Sequence, residues 1–163
     1  MSPSSVDATV ADATGRTTKS GQMLAFTLGN EQYALPILTV QEIRGVTAIT
    51  PIPNAPHYVK GVMNLRGTII PVMDLRTRIG LSEIAYDRFT VIIVIHVGEK
   101  STGLIVDSVS DVFSIDASQI EPPPEAAMGG GNSLIDGLAK IDEKLIILLN
   151  ERALVGDLAG GAY

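Results

Sequence analysis

The chain is expected to fold as an all-β protein, two small sheets or barrels packed together, with a short helix near its C-terminus. Three observations carry that expectation. Short apolar runs recur along the 163 residues, each bounded by a turn signal and with little helix-period sequence between them. Aromatics make up only 4% and Trp is absent, so the core must come from Val, Ile and Leu, side chains that suit a pleated strand. Two runs, FTVIIVIHV (89–97) and KLIILL (144–149), are apolar at nearly every position. A strand needs that only when both its faces are covered, and contact between the two barrels would supply the second cover.

In order along the chain, residues 1–21 are rich in Ser, Thr, Ala and Asp and are expected to form a mobile tail. From Gln22, alternation of Leu24, Phe26 and Leu28 with Met23, Ala25 and Thr27 predicts a half-buried strand. Gly29-Asn30 marks a tight turn, Glu31–Leu35 a returning strand, and Pro36 its end. VQEIRGV (40–46) fits a strand or a helical stripe; its β-branched start and Gly45 favour the strand. TPIPNAPHYVKG (50–61) holds three prolines and reads as a loop, with one helical turn after Pro56 that stops at Gly61. Val62–Leu65 and Thr68–Met73 follow as strands bent at Arg66-Gly67, and Pro71 places the second at an edge or bulge.

The second half repeats the plan. Strands are expected over Phe89–Val97, Gly103–Asp107 and Val109–Ile115, then a Pro- and Gly-rich loop over Glu121–Gly131. A hairpin turns at Asp142-Glu143 between Leu134–Ile141 and Lys144–Leu149. Asn150 is placed to cap a final helical turn that stops at Gly156. The folded domain is thus expected over 22–156, with five strands before and five after a boundary near 82–88, and a tail over 157–163.

Composition excludes several functions. A net charge of −6 opposes nucleic acid, whose binding depends on Lys and Arg against phosphate, and opposes an anionic lipid surface. With no Cys, disulfides, thiolate nucleophiles and Cys-ligated metals are out. The N-terminus lacks a signal-peptide pattern and no apolar run is long enough to span a bilayer, so a soluble cytoplasmic protein is expected.

No catalytic constellation stands out. His57 lies in the Pro-rich loop and His96 on a strand, without metal-ligand spacing. There is no nucleophile elbow and no phosphate loop; Gly129–Gly131 lacks the Lys a phosphate cradle needs. Asp74 and Glu42 are conceivable as a carboxylate pair, but nothing in the sequence brings them together. No cofactor and no metal are expected, and an enzyme is a remote alternative. A binding module, with a groove between barrels and open strand edges, remains.

The stretch GVMNLRGTIIPVMDLR (61–76) gives the module a family. It resembles the signature of the CheW family of bacterial chemotaxis coupling proteins. LAFTLGNEQYALPILTVQEIRG, TPIPNAPHYVKG, TGLIVDSVSDV and GLAKIDEKLIILLNERALV resemble further blocks of that family in order, so the likeness runs from about Gln22 to Gly156. Asn150 departs from the usual Asp, though it caps a helix comparably. The chain has no room for the kinase or receiver domains that accompany this domain in relatives, and is read as a stand-alone coupling protein.

The resemblance implies two SH3-like five-stranded barrels and an adaptor joining methyl-accepting chemotaxis receptors to the CheA histidine kinase. The receptor tip would lie along the groove between barrels and the kinase's CheW-like regulatory domain against a barrel. The protein is expected to be a monomer alone, to form rings with the kinase, and to sit at the inner face of the membrane through receptor arrays. An adaptor for a non-chemotaxis kinase pathway is the alternative. Val40, Glu42 and Arg66 match receptor-contact positions, although Arg66 equally suits pinning its own bend. Lys60 and Gly61 are candidates for the kinase. Within the signature, Asn64, Leu65, Gly67, Pro71, Asp74, Leu75 and Arg76 are expected to be structural: Gly67 for backbone geometry, Asn64 for a hydrogen bond to the turn, Asp74 and Arg76 for a local cap or ion pair.

Overall fold

The computed structural model of the chain describes residues 9–11, 17–19, 21–123 and 134–159. Within the expected tail, β1 (Thr9–Ala11) and β2 (Thr17–Lys19) pair antiparallel as a small sheet of their own. The rest of that tail, most of the expected Pro- and Gly-rich loop (124–133) and residues 160–163 lie outside the described residues.

The first hairpin forms as its alternation dictates, with β3 (Gly21–Leu28) and β4 (Glu31–Pro36) joined through Gly29 at φ 65°. A single 3-10 turn, Ile37–Thr39, leads to β5 (Val40–Gly45). The middle of the chain gives β6 (Val59–Leu65), β7 (Thr68–Asp74), one helical turn α1 (Leu75–Arg78), β8 (Val91–Val97) and β9 (Lys100–Val106). Then come β10 (Ser108–Ile115), β11 (Ile120–Glu121), β12 (Ile135–Ile141), β13 (Lys144–Leu149) and the helix α2 (Glu151–Ala159).

The all-β class holds, but the strands are shared out differently from the sequence expectation. A six-stranded sheet runs β10-β3-β4-β13-β12-β11, and a five-stranded sheet runs β5-β8-β9-β7-β6. Neither closes into a barrel by its ladders. Nor does strand membership divide near residues 82–88. The N-terminal hairpin joins the C-terminal strands, through a parallel pairing of β4 with β13 (Tyr33 opposite Ile147) and an antiparallel pairing of β3 with β10. Residues 40–106 make the other sheet. Alternation reveals which face of a strand is apolar; it carries no information about which edge meets which, so the halves could not be read from pattern.

Each curled sheet has its own interior, and a third core lies between them. Met63, Leu65, Ile70, Val72, Ile92, Val94 and Ile105 fill the five-stranded sheet. Met23, Ala34, Ile115, Ala139, Ile146 and Leu148 fill the six-stranded one. The shared layer takes Leu24, Phe26 and Leu28 from β3 and Ile93 and Ile95 from β8, with Leu154 and Val155 of α2 among others. The apolar run of β8 is thereby explained: Ile92 and Val94 face one core, Ile93 and Ile95 the other, and all four are fully buried. Each such side chain contributes roughly 1.5–3 kcal/mol of burial.

Local chemistry sets the boundaries. Asn150 Oδ1 accepts from the amides of Arg152 and Ala153, at 3.1 and 3.2 Å, and caps α2 as expected. The helix continues past Gly156 to Ala159, a penalty of about 1 kcal/mol that its buried Leu154 and Val155 outweigh. β8 starts at Val91 rather than Phe89 because Asp87 Oδ1 holds the amides of Phe89 and Thr90 in a turn. The expected helical turn before Gly61 is a turn closed by Val59 N donating to Pro56 O, and the strand begins at once.

Pro71 is not at an edge, since β7 lies between β9 and β6. Its pairing with Val62 is one in which neither residue hydrogen-bonds the other, because Val62 spends its N–H and C=O on Thr50 instead. The proline nitrogen therefore faces the β9 side, one residue before that parallel ladder begins at Val72.

Candidate docking site at the seam of the five-stranded sheet

β5 and β6 stand at opposite ends of the five-stranded order, yet three contacts draw them together. Just after β5, Thr50 exchanges two backbone hydrogen bonds with Val62 of β6, at 2.8 and 2.9 Å. Thr47 Oγ1 reaches Met63 Sδ at 3.8 Å. Glu42 of β5 accepts from Arg66, at the tip of the β6–β7 hairpin, with 2.5 Å between Oε1 and Nη2. The seam of the curled sheet is closed by these contacts instead of a ladder.

Gly61 makes the first of them possible. Its φ is 143°, and an added Cβ would fall 2.0 Å from the Thr50 carbonyl oxygen. Gly61 is buried, so of the two candidate kinase contacts only Lys60 reaches the surface. Lys60 itself pairs with Glu83.

The hairpin tip is a two-residue turn with Leu65 opposite Thr68. Arg66 has φ 52° and Gly67 φ 92°, the left-handed pair that matches the twist of adjoining strands. Asn64 Oδ1 accepts from the Gly67 amide at 2.7 Å and ties the turn to its own strand. Glycine meets this geometry without strain, but arginine gives up about 1–2 kcal/mol. The Arg66 side chain is 65% exposed while Glu42 is 24% exposed. The hydrogen bond and charge of Arg66 hold the Glu42 carboxyl below its ordinary range, and Glu42 in turn raises the Arg66 guanidinium.

Arg44 completes the group. It shares a face of β5 with Glu42, as residues two apart must, and its Nη1 donates to Glu42 Oε2 at 3.3 Å. The cross-strand partners of this face, Val94 and Ile92, line the interior of the sheet. The edge strand thus turns charges inward at the rim, a feature that discourages uncontrolled strand addition. Glu42 is marked by the family resemblance and Arg44 is not, although the period of two joins them on one face. Val40 is not part of this group. A bulge separates it from Glu42, and it packs against the core between the sheets.

The end of the signature does other work. Asp74, 1% exposed, accepts from the Arg76 amide at 3.0 Å and caps α1; Leu75 is fully buried. Tyr86 lies 3.4 Å from Asp74, and burial together with that carboxylate pushes its phenol up to about 12. Arg76 donates to the Ser82 carbonyl at 2.9 Å and to Asp107 at 2.6 Å, and Asp107 also accepts from the Gly29 amide at 2.8 Å. Asp107 stands where the chain crosses from β9 to β10, so this cluster ties one sheet to the other. Asp107 carried no sequence signal, because its role depends on the crossing.

Among the described residues, the carboxylates and histidines singled out from the sequence are not brought together. Asp74, at the end of β7, and Glu42, on β5, have separate partners, Tyr86 and Arg66. His96 Nδ1 lies 2.9 Å from Ser101 Oγ. That hydroxyl donates to Gln41 Oε1 at 3.0 Å, so it accepts from the imidazole, the reverse of what activates a serine. Among the described residues no three His, Asp or Glu are grouped to hold a metal, and no helix is long and apolar enough to cross a membrane.

The charged residues of the signature thus serve a seam within one sheet and a clamp between the two sheets, and the fold is a two-sheet β module. Residues 22–159 match the CheW-like domain, and the chain belongs to the CheW family. It is 43% identical to the chemotaxis protein CheW of Klebsiella aerogenes over 93% of this chain and 96% of the relative. With CheW of Bacillus subtilis the identity is 32%, over 84% and 88% of the two chains. The crystal structure of the scaffolding protein TtCheW from Thermoanaerobacter tengcongensis superposes with a TM-score of 0.75 at 37% identity, covering 80% of this chain and 89% of that one. Family members are adaptors and scaffolds, not enzymes.

Proposed function

We propose that the chain couples methyl-accepting chemotaxis receptors to the CheA histidine kinase, with the seam of the five-stranded sheet as part of the receptor-docking surface. The observation that carries this reading is the Arg66 turn. A left-handed position that suits glycine holds a guanidinium, two-thirds exposed, braced by Glu42. Strained positions retained against local preference cluster at functional surfaces. Arg66 then has both roles left open by the sequence: one edge of its fork closes the seam and the rest is presented to a partner.

Lys60 is the surface residue on the proposed kinase side, and Gly61 serves there by shaping β6. Each contact is modest, and repetition in an array at the inner membrane face gives the assembly its stability. Co-sedimentation of the chain with a receptor cytoplasmic fragment and the kinase tests the reading. Kinase activity should rise only when all three are present, and Arg66→Ala should weaken receptor binding about tenfold or more while the fold persists. Full receptor binding and full kinase coupling by Arg66→Ala would remove the docking role.

A further inference from the structure

We infer that Arg44 and Arg66 form a two-guanidinium receptor for one carboxylate side chain of the protein that docks at the seam; this rests on the docking role proposed for Glu42 and Arg66. Two cations and one anion meet there, so the group carries +1 +1 −1, a net charge of +1, on a chain whose net charge is −6. Among the described residues Glu42 is the one carboxylate ion-paired with either arginine. Both its oxygens are already engaged, Oε1 by Arg66 and Oε2 by Arg44. It has little more to give.

The arginines are not saturated. Arg66 engages Glu42 through Nη2, and most of its side chain lies in solvent. Arg44 is 32% exposed, bonds Glu42 through Nη1 at a long 3.3 Å, and leaves its buried Nε without a partner. A guanidinium offers five donors in a planar fork that fits a carboxylate side-on. An Asp or Glu brought to the rim between the two forks would neutralise the surplus and take the exposed Nη donors, the buried Arg44 Nε lying behind them. A partner presenting a Lys would be repelled, and an apolar partner would strip water from an unmatched cation. The seam therefore selects an acidic side chain.

The test is a double-mutant cycle read by calorimetry. The full chain is titrated with a soluble receptor fragment carrying the cytoplasmic hairpin tip, and with tip fragments in which each Asp or Glu is changed in turn to Asn or Gln. Arg44→Met should weaken binding about thirtyfold. One tip substitution should do the same, and the two together should do little more than either. Arg44→Lys keeps the charge but loses the fork; it should cost about tenfold and serves should Arg44→Met fail to fold in a urea titration. Native-like affinity of the Arg44 variants, or losses that multiply with every tip substitution, would overturn the inference alone. If the native chain does not bind the tip at all, the docking role falls with it.

Discussion

Substituting Gly61 with Ala should cost about 3–4 kcal/mol of folding stability. At φ 143° a side chain loses roughly 1–2 kcal/mol. The added Cβ sits 2.0 Å from the Thr50 oxygen, where ordinary contact begins at 3.4 Å, so the Thr50 loop and β6 must part by more than an ångström. Both Thr50–Val62 hydrogen bonds, now 2.8 and 2.9 Å, are lost at about 1 kcal/mol each. Gly67→Ala is the control: its φ is 92° but nothing lies within 4 Å of the new Cβ, so only the conformational part, about 1–2 kcal/mol, applies. Urea unfolding of both variants gives the comparison, and hydrogen exchange of the Thr50 and Val62 amides locates the damage. If Gly61→Ala is no less stable than Gly67→Ala, or the two amides stay protected, the seam is not built as described. Loss of kinase binding in the Gly61 variant would then need a direct contact to explain it.

Three further outcomes follow from the geometry. Arg76→Met removes the partly buried bond to Asp107 and the bond to Ser82 and should lower stability by about 2 kcal/mol in urea, with the β9–β10 crossing losing amide protection first. Alkaline titration should show a tyrosine ionising near 12, assigned to Tyr86 by its absence in Tyr86→Phe. The folded state favours the neutral phenol, so this contribution is full below the ordinary value of 10.0 and is lost as pH rises through about 12. The Glu42 carboxylate should titrate below 4.5 by NMR and return towards it in Arg66→Met. Its ion pair is present at neutral pH and lost as pH falls through that lowered value.

The strands and the hairpin turns were legible because each is written locally: alternation in β3, a break between apolar runs at Asp142-Glu143, a cap at Asn150. Even the burial of β8 on both faces could be read from its composition, since only a second apolar layer makes such a run soluble. Sheet membership was not legible, because the pairing of Tyr33 with Ile147 spans most of the chain and leaves no mark on either strand. The site divides in the same way. Asn64, Gly67 and Asp74 act on near neighbours, and turn and cap chemistry is visible in a short window of sequence. The partners of Arg76 and Arg66 lie 31 and 24 residues away, and the purpose of Gly61 is set by Thr50, a residue in a loop that pattern reading treats as filler.

The sharing of strands also sets an order of assembly. All five strands of the five-stranded sheet lie between Val40 and Val106, so its ladders can form while the remainder of the chain is still emerging from the ribosome. The six-stranded sheet has no such freedom. β3 and β4 are made first, yet β4 must wait for β13, more than a hundred residues later, to gain its second neighbour. During that interval β3 can gain β10 as its second neighbour, while β4 keeps an open edge. A stop codon after β12 would leave the middle sheet with all its strands and deprive the outer one of its centre.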